Sequence, residues 1–124
     1  MIPEPEKLLT PAELDLMRIL WARGPSTVQE VHDGLGDARA YTTVATLLKI
    51  LEQKRFAESR KDGRRQVYAA LTPRPAYELR SVRSLLDRVF EGDPAALVRR
   101  LIDSGGVDAA ELESIRKLID EARR

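Results

Sequence analysis

Three threonines and a lysine lie at helical spacing in the middle of the chain, and together they could bind nucleic acid. Thr42, Thr46 and Lys49 are four and three residues apart, which places them on one face of an α-helix, with Thr43 beside them. A threonine hydroxyl can bond a base edge or a phosphate, and its methyl can contact the thymine 5-methyl group. This pattern is typical of a helix that enters the major groove of DNA.

A basic turn follows this helix. Lys61, Arg64 and Arg65 surround Asp62-Gly63, which is a strong β-hairpin signal because both residues tolerate positive φ. A hairpin with this tip would lie along the DNA backbone or in the minor groove. Its contacts to phosphate would supply salt-dependent affinity, whereas contacts to bases would supply sequence choice.

Positive charge is concentrated in the same part of the chain. Residues 39–71 hold eight Lys/Arg against three Asp/Glu, whereas residues 1–38 hold three against seven and residues 72–124 hold ten of each. This distribution is expected if a single surface meets phosphates. On charge alone, ordinary surface variation explains the local excess equally well.

Each helix residue also has a structural interpretation. Threonines at the start of a helix are often caps, and for Thr42 a cap and a DNA contact are equally open. The positions of Thr43 and Thr46 favour DNA contact. Tyr41 either packs beneath the start of the helix or touches the DNA backbone.

The charged and aromatic candidates have similar alternatives. Lys49 is either a phosphate ligand or a solvated charge, and Arg64 and Arg65 would ordinarily be solvated in a turn. We expect His32 to be a solvent-facing residue of the second helix. We expect Trp21 to belong to the core and not to a ligand platform.

The elements that position these residues can be identified from caps and apolar periodicity. A capping box over residues 10–13 opens a first helix that ends at Gly24-Pro25, and a second box over residues 26–29 opens a short helix that closes at residues 34–37. The third helix runs from Tyr41 to Arg55. Its predicted buried stripe comprises Val44, Leu47, Leu48 and Leu51.

Two predicted strands complete this part of the chain. They run from Phe56 to Arg60 and from Gln66 to Leu71, with the turn at Lys61–Arg65 between them. Three helices followed by a hairpin predict a mainly α fold with a winged helix-turn-helix. We therefore assign residues 1–73 to a winged-helix DNA-binding domain.

Residues 74–124 are predicted to form a three-helix dimerisation domain. Each helix is short and has one apolar face, and packing against a second copy would cover those faces. The alternative is packing onto the first domain in a monomer. The predicted dimerisation residues are Leu86, Val89, Phe90, Leu97, Val98, Leu101, Leu112, Ile115 and Leu118.

Composition argues against several other classes of protein. There is no cysteine and one histidine, so we expect no metal, no cofactor and no conventional catalytic triad. No apolar run is long enough for a membrane span, and Met1–Lys7 is acidic and unlike a signal peptide, so we expect a cytoplasmic protein with no membrane insertion. No motif in the sequence pairs a nucleophile with a general base, which argues against an enzyme. Two alternatives stay open: a winged-helix regulator of an unrelated stress or metabolic regulon, and a winged helix that binds protein and not DNA.

The order of these motifs resembles the BlaI/MecI family of penicillinase repressors, which includes the copper-responsive CopY repressors. Residues 9–21 look like the family's first helix, and residues 41–48 resemble its recognition helix. Val67-Tyr68 is similar to the returning wing strand, and residues 90–98 to the junction within the dimerisation region. The resemblance covers about residues 8–122.

The resemblance implies a homodimer on double-stranded operator DNA with an inverted repeat. In the antibiotic-responsive members, a membrane sensor-peptidase causes cleavage of the repressor within its dimerisation region. The Asn-Phe pair cleaved in the staphylococcal members aligns with Arg100 and Leu101, so this chain departs from the family at the cleaved bond. Copper sensing by C-terminal cysteines, as in the CopY branch, is excluded because this chain has none.

Overall fold

The computed structural model describes residues 8–124, and these divide into two compact units. The first unit ends at Leu79 and the second is Arg80–Arg124. Residues 1–7, in which the sequence predicts no signal peptide, lie outside the described residues. Within residues 8–124, no helix has both the length and the apolar character needed to cross a bilayer.

The first unit is a winged helix-turn-helix, as predicted. It comprises three helices and a three-stranded antiparallel sheet, whose short first strand lies between the first two helices and whose strand order is β1-β3-β2. The elements in chain order are α1 (Pro11–Arg23), β1 (Ser26–Thr27), α2 (Val28–Leu35), α3 (Tyr41–Gln53), β2 (Ala57–Asp62) and β3 (Arg65–Ala70). The hairpin of β2 and β3 is the wing.

Capping boxes open the first two helices. Thr10 accepts from the Glu13 N–H and the Glu13 carboxylate accepts from the Thr10 N–H, as predicted. The second prediction was wrong by one residue, because the box uses Thr27 and Glu30. The preceding Ser26 is instead paired with Tyr68 in the sheet. The sequence analysis missed β1, because a two-residue strand has no periodicity of its own.

The core of the first unit is formed by the apolar faces of its helices and the base of the wing. Val44, Leu48 and Leu51 of α3 are fully buried, whereas Leu47, the fourth residue of the predicted stripe, is half-buried. The complete cluster comprises Leu16, Met17, Leu20, Val31, Val44, Leu48, Leu51, Phe56, Ala57, Tyr68 and Tyr77. Burial of these side chains fixes which face of α3 is left to solvent.

Helix α3 ends two residues earlier than predicted. Arg55 has φ +67°, which breaks the helical geometry, and its N–H donates to the Glu52 carbonyl. The Phe56 N–H donates to the Leu51 carbonyl, so the chain turns sharply and Phe56 enters the core.

The wing turn is tighter than predicted. Asp62 pairs with Arg65, which leaves only Gly63 and Arg64 in the loop. Gly63 has φ +65°, whereas Asp62 and Arg64 do not have positive φ. A positive φ at the first of two loop residues is the pattern of a type II′ turn, which favours glycine at that place.

The second unit contains the remaining helices. Helix α4 (Arg74–Val89) begins in the first unit, and α5 (Pro94–Asp103) and α6 (Ala109–Ala122) follow it. Asp93 caps α5, and Asp108 with Glu111 forms a capping box on α6. No residue of α5 or α6 is buried. The described second unit therefore lacks a core of its own within one chain.

The division between the units falls after Leu79, inside α4, whereas the predicted domain boundary lies between residues 73 and 74. The reason is Tyr77, which is buried in the core of the first unit. Its hydroxyl accepts from the Leu9 N–H at 3.0 Å, and its ring lies edge-on to Phe56. The first turn of α4 is therefore part of the winged-helix core.

A buried ion pair joins the start of α1 to the end of α3. Lys54 Nζ lies 2.7 Å from Glu13 Oε2, and the Glu13 side chain is only 3% exposed. Burial raises the pKa of Glu13, but the hydrogen bonds from Lys54 and Thr10 together outweigh burial and hold the pKa below its ordinary value. The charged form of Glu13 is thus the one that the fold stabilises.

Glu13→Gln should lower the free energy of unfolding by about 1–3 kcal/mol at neutral pH, because Lys54 loses its charged partner. The folded-state pKa of Glu13 is lowered, so its contribution is present above the unfolded-state pKa and is lost as pH falls through the folded-state pKa. Urea denaturation from neutral to acidic pH measures this difference.

Glu30→Gln is the matched control, because Glu30 holds the same capping-box position but its partner Arg23 is exposed. The control should cost well under half as much. Equal losses for the two variants would contradict a special role for the buried pair, as would a Glu13→Gln difference that does not change with pH.

Candidate nucleic-acid interface

The predicted recognition residues lie together on the solvent-facing side of α3. Thr42, Thr43, Thr46 and Lys49 are exposed, and Tyr41 is 47% exposed. The burial of the opposite face in the core imposes this arrangement. The N-cap of α3 is Ala40, which makes no side-chain capping bond. Thr42 is therefore not the N-cap that the sequence left open.

Thr46 is bonded within the helix. Its hydroxyl donates to the Thr42 carbonyl at 2.9 Å. The hydroxyl proton is used in this bond, so Thr46 presents to solvent an oxygen that can accept and a methyl group.

A groove of about 600 Å³ lies between the start of α2, the stretch of α3 from Tyr41 to Lys49 and the wing from its turn along β3. It brings together four of the predicted DNA-binding residues, Tyr41, Lys49, Arg64 and Arg65. The other lining residues are Thr27, Val28, Gln29, Glu30, Ala45, Gln66 and Tyr68. Lys61 is exposed on β2 and does not line this groove.

Two of the eight basic residues in the range 39–71 are used inside the fold. Lys54 binds the buried Glu13, and Arg39 binds Asp37 and Asp15. Arg65 makes only a loose surface contact with Asp62 at 3.8 Å. The positive charge available to a ligand is therefore smaller than the residue count suggests, and it is concentrated at the wing and at Lys49.

The turn between α2 and α3 is organised by Arg39. Its guanidinium donates to Asp37 Oδ2 at 2.6 and 2.9 Å and to Asp15 Oδ2 at 3.0 Å. The hydrogen bonds to Asp37 and Asp15 raise the pKa of Arg39, and the bonds from Arg39 lower the pKa of Asp37. Asp15 belongs to α1, so this cluster attaches the turn before α3 to the first helix.

His32 lies in the last turn of α2, the helix predicted for it, but its side chain is only partly exposed and contacts the turn that follows. The His32 side chain is 29% exposed, and its Nε2 lies 2.8 Å from the Arg39 carbonyl. A carbonyl only accepts, so Nε2 carries the proton in this bond. The sequence analysis assigned no partner to His32 or Arg39, because the contacts of these residues are not at helical spacing and include Asp15 on another helix.

Trp21 is part of the core, as predicted. Its ring packs against the buried cluster, and its indole N–H donates to the Thr72 carbonyl at 2.9 Å. The ring centroid lies 5.8 Å from that of Tyr77, and the Arg74 guanidinium lies 5.8 Å above the Trp21 ring. Through these contacts the Trp21 ring has a structural role in the first unit.

A second candidate surface is apolar and lies in the second unit. Of the predicted dimerisation residues, Leu86, Phe90, Leu97 and Ile115 are half-buried, and Val89, Val98, Leu101, Leu112 and Leu118 are exposed. Leu101 is 50% exposed and Leu118 is 64% exposed. Leu85, which the sequence analysis did not select, is exposed beside them in α4. Arg100 and Leu101 lie inside α5 on its exposed surface.

Comparison with known proteins points to one family. The model of the family described as "Penicillinase repressor" matches residues 9–121. The methicillin resistance regulatory protein MecI of Mammaliicoccus sciuri is 20% identical over 115 residues, covering 91% of this chain and 94% of that protein. The penicillinase repressor of Bacillus licheniformis is 23% identical over 115 residues, covering 91% of this chain and 90% of that protein.

A solved structure shows the same fold for the first part of the chain. The solution structure of the DNA-binding domain of the repressor BlaI matches with a TM-score of 0.53 and 26% sequence identity. The match covers 62% of this chain and 94% of that domain.

The Arg39 cluster gives a test of what positions α3. Arg39→Ala should lower the free energy of unfolding measurably, because it leaves the carboxylates of Asp37 and Asp15 without their shared donor. Arg18→Ala is the matched control, since Arg18 contacts the same Asp15 at 3.7 Å but is 59% exposed. That control should change stability by less than about 0.5 kcal/mol. Thermal and urea unfolding measure both, and equal effects would refute a role for Arg39 beyond surface charge.

Proposed function

This chain belongs to the penicillinase repressor family, and from that membership we propose that it represses transcription as a homodimer bound to an inverted-repeat operator. The family consists of DNA-binding transcriptional repressors and not of enzymes. A bacterial repressor acts in the cytoplasm, where its operator lies. The homodimer, the inverted-repeat operator and the mechanism of release are the parts that we propose.

The DNA-binding proposal rests mainly on one observation: exposed residues of α3, among them Lys49, line the same groove as the wing. Lys49 comes from α3, and Arg64 and Arg65 come from the wing. Two elements that are distant in sequence thus present positive charge to one concave surface. A duplex whose major groove receives α3 would bring its phosphates to this charge.

The two sides of this surface have different chemical roles. Lys49, Lys61, Arg64 and Arg65 are charged and suit phosphate, which fixes register but carries no sequence information. Thr42, Thr43 and Thr46 are short, uncharged and exposed, and they suit base edges. Tyr41 and Lys49 both line the groove, which supports contact with the DNA backbone as the role of Tyr41.

The uncovered apolar faces of α5 and α6 support the homodimer. No residue of α5 or α6 is buried, although both helices carry an apolar face. Short helices do not hold such faces in water without a partner. A second copy supplies an identical apolar surface, and two-fold symmetry of the protein matches an inverted repeat in the operator.

We propose that release of the operator follows separation of the two second units. Two joined half-sites gain affinity through effective concentration, and this gain is lost when the chains part. Cleavage of α5 by a sensor-peptidase, near Arg100 and Leu101, is one route. Its support is that this pair lies on the exposed surface of a helix that buries none of its residues.

DNA binding is tested with duplexes selected from a random pool by the full chain, in a titration with nonspecific competitor and a salt series. Two chains should bind each selected duplex. Replacing both Arg64 and Arg65 by Ala should reduce the salt slope by about 1.8 at most. Arg18→Ala, remote from the groove, should leave the slope unchanged. Failure to select any sequence would favour a protein-binding winged helix, and an unchanged slope for the double variant would show that these arginines are solvated.

Leu101→Asp tests the dimer. A charge on the apolar face of α5 should convert the protein to a monomer at micromolar concentration by sedimentation. Operator affinity should fall at least about a hundred-fold because the joined half-sites are lost. Arg99→Asp places the same carboxylate on a polar position of α5 and should remain dimeric. Circular dichroism checks that both variants keep their helices, and a Leu101→Asp variant that still sediments as a dimer would place the interface elsewhere.

A further inference from the structure

The exposed face of α3 carries a shallow cup of about 270 Å³, separate from the charged groove. Thr42, Thr43, Thr46 and Leu47 line it. None of these four side chains is charged. Leu47 is the one residue of the predicted core stripe that is not fully buried, and the uncovered part of its side chain gives the cup a hydrocarbon surface.

The hydroxyl of Thr46 does not make this cup a donor site. It donates to the Thr42 carbonyl, so Thr46 offers a methyl group and an accepting oxygen to whatever enters. A site built to donate hydrogen bonds to a base would leave such a hydroxyl free. Thr46 and Leu47 therefore favour an apolar group, while the hydroxyls of Thr42 and Thr43, which also line the cup, can still donate or accept beside it.

The size and position of the cup indicate what that group is. Its volume lies below the range of about 300–1,000 Å³ that is usual for small-molecule sites, and it is open to solvent. It therefore suits a small group that projects from a flat surface. In the major groove, base edges present donors and acceptors, and the apolar group that projects among them is the thymine 5-methyl.

We propose that this cup binds the 5-methyl group of one thymine in each operator half-site. The proposal rests on the proposed function, because it requires α3 to lie in the major groove. Thr46 then determines specificity through its methyl group and not through its hydroxyl proton. Since the cup and the charged groove share no lining residue, thymine recognition and phosphate affinity should be separable by mutation.

The test replaces single thymines by uracil in a duplex selected by the full chain, symmetrically in both half-sites. Uracil differs from thymine only by the missing methyl, so hydrogen bonds to the base are kept. One thymine position should show a loss of affinity of about three- to five-fold per half-site, the effect of leaving one methyl unburied. 5-Bromouracil at the same position should restore binding, because bromine is similar in size to a methyl group. Uracil outside the half-sites should have no effect.

Variants assign the effect to the cup. Thr46→Ser keeps the hydroxyl and its bond to Thr42 but removes the methyl, and it should bind the thymine and uracil duplexes within about two-fold of each other. Lys49→Ala, the matched control from the charged groove, should weaken binding to both duplexes and keep the difference between them.

Three outcomes would overturn the proposal. If specific binding persists and no uracil substitution matters, the cup reads no methyl group, and the proposed function stands. If one substitution matters equally in Thr46→Ser and in the unmodified chain, another part of the protein reads that methyl. If no duplex is bound specifically, the proposed function is wrong, and the proposed thymine contact is wrong with it.

Discussion

The rest of the structure depends on α3, which contributes one face to the core and presents the opposite face to solvent. Val44, Leu48 and Leu51 are fully buried on one side of the helix, and Thr42 and Thr46 are exposed on the other. The α-helical period of 3.6 residues separates these two sets. Because the core fixes the rotation of α3 about its axis, packing determines which side chains can meet a ligand. A change in the core that rotated the helix would alter recognition without touching a recognition residue.

Both ends of α3 are held by charged contacts with α1. Before the helix, Arg39 binds Asp15, and after it, Lys54 binds Glu13. These contacts explain how a helix without a side-chain N-cap at Ala40 is nevertheless fixed at its start. They also explain why Arg39 and Lys54, although they belong to the basic stretch, are not part of the proposed interface. The winged-helix unit thus uses positive charge for two purposes, and sequence position alone does not separate them.

Local signals in the sequence predicted much of this fold, and contacts between distant residues account for what was missed. The box of Thr10 and Glu13 spans one helical turn and was identified correctly. The second box lies one residue later than predicted, because Ser26 is fully buried and its hydroxyl donates to the Gly24 carbonyl, and the strand of Ser26 and Thr27 pairs with β3, far away in the chain. Turn preferences identified the wing, but the two-residue loop depends on the strand register, which periodicity does not fix. For the same reason, the Thr face was predicted from spacing, whereas the Arg39 cluster and the groove were not.

The two units differ in what stabilises them, and this difference links assembly to function. The first unit buries an aliphatic and aromatic core within one chain, whereas α5 and α6 bury no residue. A winged helix that folds alone but binds a single half-site has low affinity and little sequence information. If the apolar faces of the second unit are covered only by a second copy, the same burial that stabilises those helices also brings two recognition helices together. In the proposed mechanism, an event that uncovers those faces would weaken the second unit and operator binding in one step.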